Sequence, residues 1–184
     1  MHSFPCGTLS LDFVGTRQAR RSAEPTEMLS TPDALEAWLR ESGLLSAPGV
    51  VTPAELTRAV EVREAIYALI AARLREAPMP AAAIALVNEV SATRPLHPEL
   101  QQRGWTRRGD AAGALAELAR EVIPLLGGED ARLLRECSRP ECTQVYLDHS
   151  RGRRREWCSM ATCGSRMKAK AYRDRRKADA ASVG

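Results

Sequence analysis

The sequence predicts a mainly α-helical (α+β) protein: an N-terminal helical domain with one small β-hairpin, then a smaller module made of a β-hairpin and a helix. Three observations lead there. Alanine and leucine dominate and β-branched runs are scarce, which favours helix over sheet. Apolar residues recur at helical spacing through most of residues 31–127, the mark of helices with one face in a core. Four cysteines then gather in a segment whose charge is opposite to that of the rest.

The helices are marked in order. Thr31 stands where an N-cap is needed, Pro32 takes the first helical position, Leu35, Trp38 and Leu39 follow, and Gly43 ends the run. In TPAELTRAVEVREAIYALIAARLRE, Thr52 caps, Pro53 opens and Glu55 completes a capping box. Leu56, Val60, Tyr67, Ile70 and Leu74 define one face of that helix, widened by Val62, Ile66 and Leu69, so it belongs to the core. Pro78 and Pro80 break it, and AAAIALVNEVSA forms the next helix. RPLHPELQQRGWTRR changes character, with short segments flanking a Gln-Arg-Gly turn, and reads as a hairpin. Helical periodicity then returns, with Asp110 as cap, Pro124 as a kink and Gly127-Gly128 as the stop. A short helix at about 129–136 leads to the first cysteine pair, and the domain boundary falls near 127–130, giving domains 1–130 and 131–184.

Four of the five cysteines read C-x4-C-x15-C-x4-C: Cys137, Cys142, Cys158 and Cys163. Zinc favours four soft ligands in a tetrahedron, and two tight turns joined across a hairpin would supply them. Val145–Leu147 suits one strand, Ser150–Gly152 a turn and Arg155–Trp157 the returning strand. Two disulfides would need an oxidising compartment and leave the odd Cys6 over. An iron–sulfur cluster usually takes other spacings. Structural zinc is the favoured reading, with no open coordination position and so no metal catalysis. Cys6 is expected to be a free, half-buried thiol, and His149 a surface or supporting group. No nucleophile–base set, paired-carboxylate motif or phosphate-binding glycine loop is present, so an enzyme is not expected.

Charge divides the chain. Residues 1–130 hold 13 Lys/Arg against 17 Asp/Glu, whereas residues 131–184 hold 14 against 6. A basic module on an acidic body suits a polyanion. On the helix after Cys163, Arg166, Lys170, Arg173 and Lys177 follow at steps of four, three and four and form one stripe. Met167 and Ala171 line an adjacent apolar edge suited to resting on the zinc module. Arg151, Arg153, Arg154 and Arg155 crowd the hairpin turn and extend the positive surface. Four thiolates around Zn²⁺ carry a formal −2, so some of the arginines serve to balance that centre.

These residues resemble a known family. CSRPEC…YLDHSRGRRREWCSMATCGSRMKAKAYRDR is similar to the CGNR-type zinc finger, through Cys137, Cys142, Leu147-Asp148, Ser150, Arg155, Trp157-Cys158, Cys163-Gly164, Arg166 and Lys168. Ser165 stands where that motif usually has asparagine. LSLDFVGTR, residues 9–17, resembles the opening signature of the ABATE domain, with Gly15 in place of an asparagine. The resemblance implies a bacterial, stress-induced transcription regulator. The function expected is then zinc-dependent binding of double-stranded DNA, with Arg153, Arg154, Arg166, Lys168, Lys170, Arg173 and Lys177 as contacts. A zinc-stapled protein adaptor and an RNA-binding module are the alternatives. Asp12 and Arg17 are candidates for a small-molecule effector site, and a homodimer would supply a second DNA-contacting module. No apolar stretch is long enough to span a bilayer, and the opening residues make a poor secretory signal, so a cytoplasmic location is expected.

Overall fold

Four of the helices begin where a side chain, that of Thr8, Thr31, Thr52 or Asp110, accepts from a free amide of the first turn. The computed structural model describes residues 2–47 and 49–181. Helix α1, Leu9–Val14, is capped by Thr8, and Glu121 from a distant helix accepts from the Ser10 amide at 2.6 Å. Two residue pairs, β1 (Arg17–Gln18) and β2 (Thr26–Glu27), form a minimal antiparallel ladder. Helix α2, Pro32–Glu41, starts at the Thr31 cap, and Gly43 beyond its end takes φ +73°. Helix α3, Pro53–Leu74, carries the complete Thr52–Glu55 capping box. Helix α4 spans Ala81–Ser91. A hairpin of β3 (His97–Leu100) and β4 (Trp105–Arg108) pairs Leu100 with Trp105 at its tip. Helix α5, Ala111–Gly127, opens on the Asp110 carboxylate and runs on past Pro124 to the Gly127-Gly128 stop.

Helices α3, α4 and α5 pack together, and α1 lies against α3 and α5. The buried face of α3 is Ala59, Val62, Ile66, Leu69 and Ile70. Leu56, Val60, Tyr67 and Leu74, expected at the centre of that face, lie half-buried at its margins. The periodicity was right and the phase was off, because α1, α4 and α5 close over the helix from a side that period alone does not specify.

After α5 the chain departs from expectation. The expected helix at 129–136 is instead a 3₁₀ turn, Glu129–Leu133, followed by strand β5, Leu134–Glu136. Strand β6, Val145–Leu147, pairs with β5 in antiparallel register, Leu134 opposite Leu147 and Glu136 opposite Val145. The expected return strand at Arg155–Trp157 does not form. The hairpin therefore encloses the first cysteine pair and does not bridge the two pairs. The physical reason lies in Asp148, fully buried just beyond β6. Its carboxylate accepts from the amides of Ser150 and Arg155 at 2.9 and 3.1 Å, which bends the chain away before a second ladder can start. Hydrogen bonds to these donors, led by Ser150, hold the Asp148 carboxyl below the usual range. After a π-helical turn at Met160–Gly164, helix α6 runs from Ser165 to Ala181. Among the described residues no helix is long and apolar enough to cross a membrane.

A charged group sits inside this apolar packing. Arg63, on α3 between Val62 and Ile66, is fully buried. Its guanidinium donates to both carboxylate oxygens of Glu27 at 2.6 Å, to Thr16 at 3.0 Å and to Glu64 at 2.9 Å. Arg20 joins from the other side, donating to Glu64 and to the Val14 carbonyl and lying 4.0 Å over the Tyr67 ring. The network ties the segment after α1 to the middle of α3, and no local sequence rule could place it. Arg63→Ala would leave Glu27 without its bidentate partner, whereas Glu64 keeps Arg20. With the remaining carboxylates partly solvated, it is expected to lower the unfolding free energy by about 1.5–3 kcal/mol in a denaturant titration.

Candidate metal centre

Two turns bring the cysteines together. The first lies between β5 and β6, where the Cys142 amide donates to the Arg139 carbonyl at 2.8 Å and the Cys137 amide to the Gln144 carbonyl at 2.9 Å. The second is the π-helical turn, in which the Gly164 amide reaches back to the Ser159 carbonyl. It is tight enough that a Cβ on Gly164 would come within 2.7 Å of the Met160 sulfur and 3.1 Å of the Trp157 ring. Ser165, in the place of the motif's usual asparagine, donates its hydroxyl to the Met160 carbonyl at 2.8 Å. It thereby fastens the start of α6 to the same turn.

The four sulfur atoms all lie within 4.8 Å of one another. Cys142 and Cys158 approach to 3.9 Å and Cys158 and Cys163 to 3.5 Å, and none is in a disulfide. Ligands about 2.3 Å from a tetrahedral zinc would stand about 3.8 Å apart, so the spacing fits. The thiols also cannot all ionise side by side by themselves. Hydrogen bonds from Cys142 and Cys158 push the Cys137 thiol far down. The same bonds, seen from the partners, push Cys142 up to about 12 and Cys158 higher still. A divalent cation removes that conflict by replacing the shared protons. Cys137, Cys142, Cys158 and Cys163 are thus positioned to bind one zinc ion, and the donor set of four thiolates closes its shell.

Supporting contacts lock the turns to the helical body. Arg155, expected on the positive surface, points inward. Its guanidinium donates to the carbonyls of Trp157 at 2.9 Å, Pro5 at 3.0 Å and Cys158, and stacks 4.3 Å over Tyr146. Cys6 is completely buried, not half-buried as expected. Its carbonyl accepts from the Leu147 amide at 2.9 Å, and its sulfur accepts from the Gln144 side chain at 2.9 Å. Burial pushes its thiol well above the ordinary range. The Gln144 amide fills the space beside Gly15 so closely that a Cβ there would meet its nitrogen at 1.9 Å. Glycine at position 15, where the N-terminal signature has asparagine, makes room for a side chain of the zinc module.

A cleft of about 420 Å³ opens between that module and the helical body and takes in one side of the metal site, Cys142, Cys158 and Cys163. Asp12, Thr16, Met28 and Trp38 line it from the body, and Arg139, Thr143, Gln144 and Arg166 from the module. Asp12 is 5% exposed, and burial raises its carboxyl to about 6. It accepts from the Cys6 amide at 3.0 Å, a capping contact within the chain. Arg17 lies on β1 outside the cleft lining, so the candidate pair Asp12 and Arg17 does not come together there. His149 is exposed, as expected.

Of the basic residues predicted as contacts, Arg166 borders the cysteine cluster at the cleft, and the others lie outside the cleft lining. Arg151, Arg153 and Arg154 are exposed at the loop after Asp148, where Arg153 adopts φ +52° and the Arg154 amide donates to Ser150. Arg166, Lys168, Lys170, Arg173 and Lys177 are all exposed on α6. At about 100° per residue, Arg166, Lys170, Arg173 and Lys177 share one face. Lys168 falls nearly opposite, so the predicted contacts occupy two faces. Met167 is half-buried, whereas Ala171 is exposed and not against the module.

Two family models match the chain. One is ABATE, described as "Putative stress-induced transcription regulator", over residues 7–129. The other is the CGNR zinc finger, over residues 133–176. No curated protein matches.

The purified protein is expected to hold one zinc per chain by metal analysis. Chelation or Cys158→Ser should remove the ion together with the circular-dichroism signal of the 134–181 module. A metal-free chain that keeps its full fold would contradict this. Separately, in Gly15→Ala the flexible end of Gln144 must swing aside and give up its hydrogen bond to Cys6, at an expected cost of about 0.5–1.5 kcal/mol. Most of that cost should vanish in a Gln144→Ala background, read as the coupling term of a double-mutant cycle.

Proposed function

We propose that this chain, which belongs to the ABATE family and carries a CGNR zinc finger, is a zinc-dependent transcription regulator that binds double-stranded DNA through α6. The observation that carries the reading is the state of that helix. From Lys168 to Ala178 every residue is exposed. The side chains of Arg166, Lys168, Lys170, Arg173 and Lys177 make no ion pair or hydrogen bond among the described residues. A 17-residue helix that is polar all round is marginal by itself. Here its first turn is anchored to the zinc-binding turn through Ser165 and the rest projects as a cationic rod. Such a rod fits a phosphate-lined partner better than an apolar one. Arg153 and Arg154 add exposed charge nearby.

In this reading the metal is structural. Four thiolates leave no open coordination position for catalysis, and we assign the protein no enzymatic role. The function divides near residue 130: the helical part serves as the sensing or assembling part, with the cleft beside Asp12 as the candidate effector site, and the zinc module as the reader.

Gel shifts on genomic fragments across a salt series test the proposal. Binding is expected to weaken steeply as salt rises. Arg166→Ala with Lys170→Ala should reduce the log–log slope by about 2 and weaken binding at all sequences. Binding that ignores salt and survives the double variant would refute it, and salt-resistant capture of an acidic protein in its place would favour an adaptor.

A further inference from the structure

Helix α6 is cationic on two opposite sides. Taking Arg166 as zero and about 100° per residue, Arg173, Lys177 and Lys170 lie between about −20° and +40°. Arg175 and Lys168 lie at about 180–200°. Between these flanks run two edges of different character. One, at about 80–140°, carries Met167, Ala171, Asp174 and Ala178. Met167 is the one residue of 165–178 that is not exposed, so this edge turns toward the zinc module at its first position, Met167, and is open to solvent beyond it. The other, at about 240–300°, carries Ala169, Tyr172 and Arg176 and faces away from the module. Tyr172 is 55% exposed, a large aromatic surface more than half open to solvent. Arg176 is exposed and makes no ion pair or hydrogen bond among the described residues.

This arrangement distinguishes two ways of meeting DNA. A helix lying across one sugar-phosphate backbone needs a single cationic face. A helix inside the major groove, about 12 Å wide, has phosphates on both sides and base edges in front. We propose that α6 enters the major groove, with its two cationic flanks against the phosphates of the two strands and Tyr172 and Arg176 directed at the base edges. Ala169, between them and the module, is small enough to let the backbone approach. Arg176 is the residue suited to bidentate recognition of guanine, through a planar, pre-organised fork that the flexible ammonium of lysine matches less well. The inference rests on the DNA-binding reading above and adds to it an orientation and a pair of base-reading residues outside the stripe.

The test uses the zinc-loaded full chain, a random-sequence duplex and the tightest duplex that the wild-type protein selects from a randomised pool. Metal content and circular dichroism first establish that each variant is folded. Arg173→Ala with Lys177→Ala, and separately Lys168→Ala with Arg175→Ala, are each expected to lower the log–log salt slope by about 1.8 on both duplexes. Arg176→Lys should keep the slope and the affinity for the random duplex but lose about tenfold or more of the preference for the selected one. If only the first pair changes the slope, the helix lies across one backbone and the groove orientation is wrong, although DNA binding stands. An unchanged preference in Arg176→Lys equally overturns the assignment of base contacts. If the wild-type chain binds neither duplex, the DNA-binding reading itself falls.

Discussion

Four sulfur atoms from two separate turns must come within 4.8 Å of one another, and the C-terminal third of the molecule is arranged around that requirement. The first turn is closed by a three-residue ladder and the second by a single π-helical turn. Neither element buries enough apolar surface to persist alone, since segments this short rarely hold themselves by burial. The thiols add to the difficulty, because protons and charge are shared among them without relief. A divalent cation supplies both the cross-link and the neutralisation, which makes metal binding and folding of this module one event.

The module does not hang freely from the helical body. Buried residues on both sides of residue 130 form one apolar cluster that includes Cys6, Leu11, Tyr146, Leu147 and three of the metal-site cysteines. Polar contacts then set the orientation. Cys6 extends the edge of β6, Arg155 reaches the Pro5 carbonyl, and Gln144 fits against Gly15. The Arg20 amide also donates to Thr143 within the first cysteine turn, linking that turn to the Arg63 network on α3. Through these contacts the direction in which α6 leaves the zinc turn is tied to the position of α1.

Charge is distributed to match. One arginine of the module, Arg155, turns toward its interior, whereas the loop and helix arginines face solvent. A zinc ion with four thiolates is formally −2, and that inward guanidinium moderates it. The outward cations are then in excess, which is why a polyanionic partner suits α6 better than a role in charge balance within the chain.

Much of this was legible in the residues. The caps at Thr31, Thr52 and Asp110, the hairpin at 97–108, the cysteine spacing and the basic helix are all local. Short-range hydrogen bonds and helical period decide such features, and those depend on neighbours in sequence. What the sequence alone did not determine is everything set by long-range contact. The phase of the buried face of α3 depended on which helices close over it. The partner of β6 depended on Asp148 bending the chain, and the inward turn of Arg155 on a carbonyl 150 residues away. Arg63 carried the one hint, a charge within an apolar face, yet its partners became evident only in three dimensions. Gly15 looked like a lost asparagine, and only the tertiary structure showed Gln144 occupying that space, because steric exclusion between distant segments leaves no periodic trace in the chain.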